Sequence, residues 1–345
     1  MSLRTLFRGT AAAAAMVLFL VACPCVGGRF APRAGTGGNE SERIPMIFAS
    51  YAADAEQLAH TLILAESIRE FSGRKKDAPV WVFAPKEIAD NAPGPRAKAD
   101  TLKVDLVMIE VPENASGFPF AEKVYAAAAA EERASGGAEI LAWLDEDTIV
   151  LDEPAEFDLA PKVAFGYRPV MHRRIGSLFD EPVDAFWRRV YGLLSVPEES
   201  VFAVTTPADG KNIRAYFNAG VLVVRPERGL LRKWARSFSL LVHDPDIRKM
   251  CGEDVFKNVF LHQAALAGAV LASIGKDETA ELSEKINYPL FFNERFESER
   301  GFYSIEDAVT IRYDVYFRNP RPGWSARIKG PPEQVAWLKS RFGGD

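Results

Sequence analysis

The chain has 345 residues, 48% of them hydrophobic and 26% charged, an ordinary globular composition with enough length for one large domain or two ordinary ones. A formal net charge of −5 gives no global basic field to recruit nucleic acid. The four histidines (His60, His172, His243 and His262) are scattered, which argues against a His-rich zinc site.

The N-terminus reads as a separate object. Arg4 and Arg8 precede "AAAAAMVLFLVACPCVGG", a charged stretch and then an apolar one, as in a secretory signal. The apolar run is short for a full membrane span, which needs about 20 residues. "LVAC", Leu20 to Cys23, resembles the bacterial lipobox, in which the cysteine carries the lipid. Residues 1–26 are therefore expected to be a signal peptide or a membrane or lipid anchor, and 27–43, rich in Gly and polar residues, a flexible linker. That predicts a membrane-associated or exported protein. Cys23 and Cys25 belong to the leader, which leaves Cys251 alone in the rest of the chain with no partner for an internal disulfide.

From Ile44 onward strands and helices alternate. "PMIFASY" reads as a buried strand. A helix then runs through "DAEQLAHTLILAESIREF", with Asp54 able to cap it and Leu58, Leu62, Ala65 and Ile68 or Arg69 at helical spacing. "APVWVFAP" and "VDLVMIEVP" are further strands. "AEKVYAAAAAEERA" is a helix by propensity, and "EILAWL" a fourth strand. "KVAFGYRPV" and "YFNAGVLVVRP" are apolar strands; Met171 to Ile213 between them has no clear period. "GLLRKWARSFSLLVH" and "GEDVFKNVFLHQAALAGAVLASI" predict helices, and "AVTIRYDVYF" a late strand. Strands apolar on both faces that alternate with helices imply an α/β domain, 44–345, with a mostly parallel mixed sheet flanked by helices.

One stretch asks for chemistry. In "ILAWLDEDTIVLDEP" an apolar strand runs straight into Asp145, Glu146 and Asp147. Three adjacent carboxylates repel unless a cation or strong donors hold them. In extended backbone, positions i and i+2 share a face, so Asp145 and Asp147 can converge on one hard cation, Mg²⁺ or Mn²⁺, with Glu146 pointing away. The alternative is an exposed acidic strand end. "HDPD" offers the same spacing at Asp244 and Asp246, but after a helix and around a proline, where it reads as a turn.

"LAWLDEDTIVLDEP" resembles the D-x-D strand of GT-A-fold, sugar-nucleotide-dependent glycosyltransferases of the glycogenin and lipopolysaccharide galactosyltransferase kind. "YFNAGVLVVRPERGLLRKW", "FLHQAALAGAV" and "INYPLFF" resemble their later segments, and the order matches from about Met46 to Pro320. The resemblance implies a nucleotide-diphosphate sugar donor, first of all a UDP-sugar, a glycan or other hydroxyl acceptor, and Mn²⁺ or Mg²⁺ on the diphosphate. It implies Asp147 on the metal and Asp145 on metal or ribose. Asn218 and Gly220 would border the sugar pocket, Lys123 would meet the donor phosphates, and His262 and Gln263 would face the sugar. Gly220 also reads as a bulge at a strand entry, Lys123 as a solvated helix lysine and His262 as a structural histidine.

The sequence departs from the family where a late histidine usually supplies a third metal ligand. "IRYDVYFRNP" has none, and Asp314, beside Arg312 and Tyr313, is the available substitute. Arg168, His172, Arg173, Arg174, Trp187 and Tyr216 fall in the expected acceptor region, where they equally suit an ordinary surface and core. Two other functions compete. A catalytically degenerate glycan- or nucleotide-binding lipoprotein would follow if the domain leaves the compartment that holds nucleotide sugars. A haloacid-dehalogenase-type phosphatase would use Asp145 as nucleophile and Asp147 as acid, but needs paired acids after a late strand, for which only Glu253 and Asp254 are at hand. A sugar nucleotidyltransferase wants a Gly-rich first loop, and "FASYAADAEQ" has none.

Overall fold

The first strand forms over Ile44–Tyr51 (β1), and its last six residues are all buried, so both of its faces need cover. The Asp54 side chain accepts the Gln57 N–H at 2.8 Å and caps helix α1 (Ala55–Phe71). Leu58, Leu62, Ala65 and Ile68 are buried along one side of that helix. Arg69 instead spans to the carbonyls of Leu102 and Ala78 at 3.0 and 2.8 Å. This computed structural model describes residues 43–90, 93–112, 117–290, 304–318 and 322–343. The leader and linker expected over 1–43 lie almost wholly outside the described residues. The described residues all belong to one compact unit, Glu42–Asp345.

The chain continues through β2 (Val80–Ala84), α2 (Lys86–Asp90), α3 (Pro93–Leu102), β3 (Val104–Met108), α4 (Ala121–Ala134) and β4 (Ala138–Leu144). Two short strands follow, β5 (Thr148–Val150) and β6 (Phe165–Pro169), then α5 (Ala185–Leu193) and the hairpin β7 (Ala203–Thr205) and β8 (Asn212–Arg214). Next come β9 (Phe217–Val224), α6 (Leu230–His243), α7 (Pro245–Glu253) and α8 (Val255–Leu271), and finally β10 (Thr279–Glu281), β11 (Tyr288–Pro289) and β12 (Thr310–Arg312).

Seven strands make the central sheet in the order β10-β6-β9-β4-β1-β2-β3. Neighbours pair in parallel except around β9, which runs antiparallel to both β4 and β6. The expected α/β class and mostly parallel mixed sheet are thus what the chain builds. From β1 the chain moves outward to β2 and β3, then returns to pair β4 against the other side of β1. Open α/β sheets bind ligands at such a switch point, beyond the carboxyl ends of the strands.

Side-chain alternation in the main sheet gives two cores, one on each face, and a third packs around the small sheet of β5, β11 and β12 at Ile149, Ile311, Tyr313, Phe317 and Trp324. On one face Ile47, Ala49, Leu141 and Trp143 pack against α4, α6 and α8; the small residues Ala126, Ala127 and Ala130 let α4 approach closely. On the other, Phe48, Val82, Ala142 and Leu144 meet the buried side of α1 and Ala99 of α3. A buried carboxylate joins two helices of the first face. Glu131 of α4 is 0% exposed and accepts the backbone N–H groups of Leu231 (3.1 Å) and Arg232 (2.9 Å) at the start of α6. Helix N-termini favour negative charge, and the Arg232 guanidinium adds to it at 3.2 Å.

Four expectations change. The late strand "AVTIRYDVYF" is extended only over Thr310–Arg312; Asp314 turns with φ +44 and a short helix, Val315–Arg318, follows. The helix expected from Gly252 begins at Val255, because Asp254 accepts the Phe256 and Lys257 N–H groups and caps it. Asp244 of "HDPD" does more than turn the chain: it caps α7, with Pro245 in the first turn. Trp187 and Tyr216, 1% exposed each, are core residues packed ring to ring at 5.4 Å, not an acceptor surface.

Candidate active site

The acids sit where the switch point predicts, just past the carboxyl end of β4. They are not in extended backbone. Thr148 N–H donates to the Asp145 carbonyl at 3.1 Å, so Asp145 to Thr148 form a tight turn. The turn has a structural purpose. It sends β5 out of the main sheet to pair antiparallel with β12, which in turn pairs with β11 in a separate three-stranded sheet. Thr148 lies opposite Arg312 in that register, and Tyr313 N–H donates to the Asp147 carbonyl at 3.0 Å. The acids and the late basic residue are therefore adjacent by construction.

Each acid meets a cation. Lys123, in the first turn of α4, places Nζ 2.6 Å from Asp145 Oδ1 and 2.7 Å from Oδ2. It is 9% exposed, so it is not a solvated helix lysine. Arg312 donates Nε–H to Asp147 Oδ2 at 3.2 Å and reaches Asp314 Oδ2 with Nη2 at 3.5 Å. Glu146 does not point away as a spare: its Oε1 accepts from Arg318 Nη2 at 3.0 Å. Burial, then the neighbouring Asp147 and Asp145 charges, push the Glu146 carboxyl up to about 7. Burial also raises Asp145, against the pull of Lys123. Burial opposes the charge on Arg312, but Asp147, Asp145 and Asp314 outweigh it and hold the guanidinium firmly protonated.

The start of β9 forms the adjoining wall. Asp145 N–H donates to the Gly220 carbonyl at 2.9 Å. The β6–β9 register shifts between Tyr167↔Leu222 and Pro169↔Phe217, so β9 carries the bulge that a glycine in this position suggests. Within it Asn218 Oδ1 accepts the Gly220 N–H at 2.7 Å and the Asn287 Nδ2–H at 3.2 Å. A Cβ on residue 220 would lie 2.9 Å from Asn218 Oδ1 and 3.2 Å from Asp145 Oδ2, which explains the glycine by close approach. Asn287 adopts φ +56, a left-handed conformation that Asn tolerates, held by its N–H to Thr310 Oγ1 at 2.7 Å.

Beside Lys123 and Asp145 lies a cavity of about 200 Å³, lined also by Tyr51, Gln57, Phe120 and Trp143. Two of its polar atoms, Trp143 Nε1 and Tyr51 Oη, are buried without a hydrogen-bond partner. Buried donors of this kind ordinarily pair with protein, water or a ligand, and these two are available to water or a ligand. Tyr51 and Trp143 escaped the sequence reading because an aromatic at a strand end resembles core; the usable signal was their place at the ends of the two switch-point strands. Asn287 lay inside a noted segment but was not singled out.

His262 and Gln263 lie on α8, with His262 behind the Phe120 wall of this cavity. His262, on α8, is 2% exposed, with Nδ1 at 3.0 Å from the Val259 carbonyl and its ring 4.5 Å from that of Phe120. Burial, then the Lys123 charge, hold its pKa well below the ordinary value. Gln263 is buried on the same helix. No hydrogen bond or ion pair among the described residues links either one to Asp145 or Asp147. Asp254, which a phosphatase would need free at a strand end, is committed to capping α8.

Does the cluster fit the divalent cation that the resemblance implies? One oxygen, Asp147 Oδ1, is buried and without a partner. Asp147 Oδ2 faces Arg312, and both Asp145 oxygens face Lys123. Among the described residues no group of three or more His, Cys, Asp or Glu side chains comes together as a metal cage. Mg²⁺ and Mn²⁺ prefer about six oxygen-rich ligands. A cation here would have to expel Lys123 from one carboxylate and share the other with Arg312. These residues do not fit it.

Three solved structures and one family profile resemble the chain. A galactosyltransferase, LgtC, in complex with donor and acceptor sugar analogs is 16% identical, with 87% of this chain and 97% of that one covered at a TM-score of 0.44. Mouse xyloside xylosyltransferase 1, apo form, is 11% identical over 79% of this chain and 98% of that one, TM-score 0.43. The apo WbbM bifunctional glycosyltransferase is 13% identical over 81% and 47%, TM-score 0.46. No curated protein sequence matches. The family profile described as the Rhodobacterales glycosyltransferase domain matches residues 51–275, from the end of β1 past α8, and the assignment rests on it and not on the three structural likenesses. The chain belongs to the Rhodobacterales glycosyltransferase domain family.

Proposed function

We propose that the chain transfers a sugar from a nucleotide-diphosphate sugar, with UDP-sugars the first donors to test, to a hydroxyl acceptor such as a glycan. The observation that carries this reading is the cavity at the carboxyl ends of β1 and β4. Its buried and unpaired Trp143 and Tyr51 donors stand beside the Lys123–Asp145 pair. In such a transfer the acceptor hydroxyl oxygen bonds to the anomeric carbon as the sugar–phosphate bond breaks, the nucleoside diphosphate leaves with the electron pair, and the hydroxyl proton passes to the departing diphosphate or to solvent.

The roles follow the chemistry of each group. Lys123 brings positive charge to the donor phosphates. Asp145, anchored through its own N–H to Gly220, accepts donor hydroxyls. The Asn218 amide offers both donor and acceptor to a sugar hydroxyl, and Gly220 leaves room for it. His262 and Gln263, on α8 with His262 behind the Phe120 wall of the cavity, would face the sugar as the resemblance implies. The resemblance calls for Mn²⁺ or Mg²⁺, but Asp145 and Asp147 are already paired with Lys123 and Arg312. A membrane-associated or exported location, through residues 1–26 or a lipidated Cys23, belongs to the same proposal.

The test is release of nucleoside diphosphate by the purified chain from a panel of UDP-, GDP-, ADP- and dTDP-sugars, with and without monosaccharide acceptors. One donor is expected to turn over, and Asp145→Asn to lower its rate by about tenfold or more, about 1.4 kcal/mol of barrier. If no donor is consumed and no nucleoside diphosphate binds, the reading fails.

A further inference from the structure

We propose that Arg312, together with Lys123, takes the place of a divalent cation in this chain, so that donor binding and sugar transfer need no metal. The inference rests on the nucleotide-sugar reading above and specifies what neutralises the leaving group.

The argument begins with charge and position. Asp145 and Asp147 would repel each other and any diphosphate unless positive charge stands between. The chain supplies that charge itself. Lys123 Nζ lies within 2.7 Å of both Asp145 oxygens, and Arg312 Nε lies 3.2 Å from Asp147 Oδ2. Arg312 is held in this position by the backbone. The β5–β12 pairing sets it opposite Thr148, and Tyr313 N–H binds the Asp147 carbonyl. It also stands in the segment where a third metal ligand was expected and no histidine occurs.

A guanidinium suits the substitution. It is planar, stays charged, and carries five N–H donors in a fork that matches phosphate oxygens. Fixed positive groups in a partly closed site stabilise charge that develops on a leaving diphosphate, which is what a bridging cation would otherwise do. Asp147 then has a different task from metal ligation. It orients Arg312, as Asp145 orients Lys123. The Arg312 side chain keeps 26% of its surface exposed. It stands next to the cavity wall and not in it, paired with Asp147 where Asp145 lines the cavity.

The test uses the full chain, titrated calorimetrically with UDP, GDP, ADP, CDP and dTDP, once in EDTA and once in excess Mn²⁺. The diphosphate that binds best is expected to keep its Kd within about threefold between the two conditions, because that is below one decade, 1.4 kcal/mol. Arg312→Gln is expected to weaken it by about tenfold or more, and Arg312→Lys by less. Circular dichroism melting shows whether each variant is folded; if Arg312→Gln is not, the EDTA and Mn²⁺ titrations of the unaltered chain decide. Binding that appears only with Mn²⁺, together with loss of the free Mn²⁺ paramagnetic resonance signal, overturns the inference and leaves the transferase reading standing. Binding of no diphosphate in either condition overturns both.

Discussion

Arg312 Nε stands 3.2 Å from Asp147 Oδ2, across 165 positions of sequence. Asp147 is 5% exposed, so its charge has little water to fall back on. Removing the guanidinium leaves a buried carboxylate with one partner fewer. Arg312→Gln and Asp147→Asn are each expected to lower stability by about 1–3 kcal/mol. The double variant should lose less than the sum, since the groups share one interaction. Urea unfolding of all four chains measures the coupling; strict additivity would show the pair to be unimportant to the fold.

Gly220 and Gly192 should respond in opposite ways to the same substitution. Gly220→Ala drives a methyl group to 2.9 Å from Asn218 Oδ1 and 3.2 Å from Asp145 Oδ2. It is expected to cost about 1–3 kcal/mol by overpacking and to cut donor turnover at least tenfold. Gly192 lies in α5 with nothing within 4 Å of a new Cβ. Gly192→Ala is expected to leave turnover unchanged and to add up to about 1 kcal/mol of stability. Thermal melts and turnover on the two variants separate crowding from a general effect of glycine replacement.

The α4–α6 junction depends on Glu131. Its carboxylate accepts two backbone N–H groups and faces Arg232 while wholly buried. Glu131→Ala opens a cavity and strands these donors, with an expected loss of about 2–4 kcal/mol. Glu131→Gln keeps one acceptor and should lose less. Equilibrium unfolding gives both values, and equal losses would remove the hydrogen bonds from the explanation.

His262 predicts a pH effect on stability. Burial depresses its folded-state pKa below the ordinary 6.5. Its contribution is therefore complete above about pH 6.5 and is lost as the pH falls toward the folded value, because the unfolded chain takes up the proton first. The melting temperature of the unaltered chain should fall relative to that of His262→Gln below about pH 6.5. The comparison removes the effect of Glu146, whose carboxyl is pushed up to about 7 and contributes the opposite slope to both chains. An identical slope in the variant would show that other groups carry the acid sensitivity.

Much of the frame could be read from the sequence because it depends on local pattern. Apolar runs such as Phe217–Val224 have few options besides a central strand, and Asp54 with Leu58, Leu62, Ala65 and Ile68 specifies a capped amphipathic helix. The pairing of Asp145, Lys123, Asn218 and Gly220 was accessible through the family resemblance and the strand-end rule. What stayed hidden were the long-range partners. Nothing local says that Arg312 will lie opposite Thr148, that Asn287 will donate to Asn218, or that Asp145–Thr148 will turn instead of extending. Those depend on the second sheet, whose strands are too short to show a period. Trp187 and Tyr216 mislead for the opposite reason, since a buried aromatic and a sugar-stacking one have the same composition.

The division of labour between the two sheets has a consequence for synthesis. All seven strands of the main sheet are present once the ribosome has delivered Glu281, but β12 and its arginine come later. Until then the acids at the end of β4 have Lys123 alone for company. A nascent or truncated chain can thus complete its main sheet while the third hydrophobic cluster and the arginine that faces Asp147 are still to come.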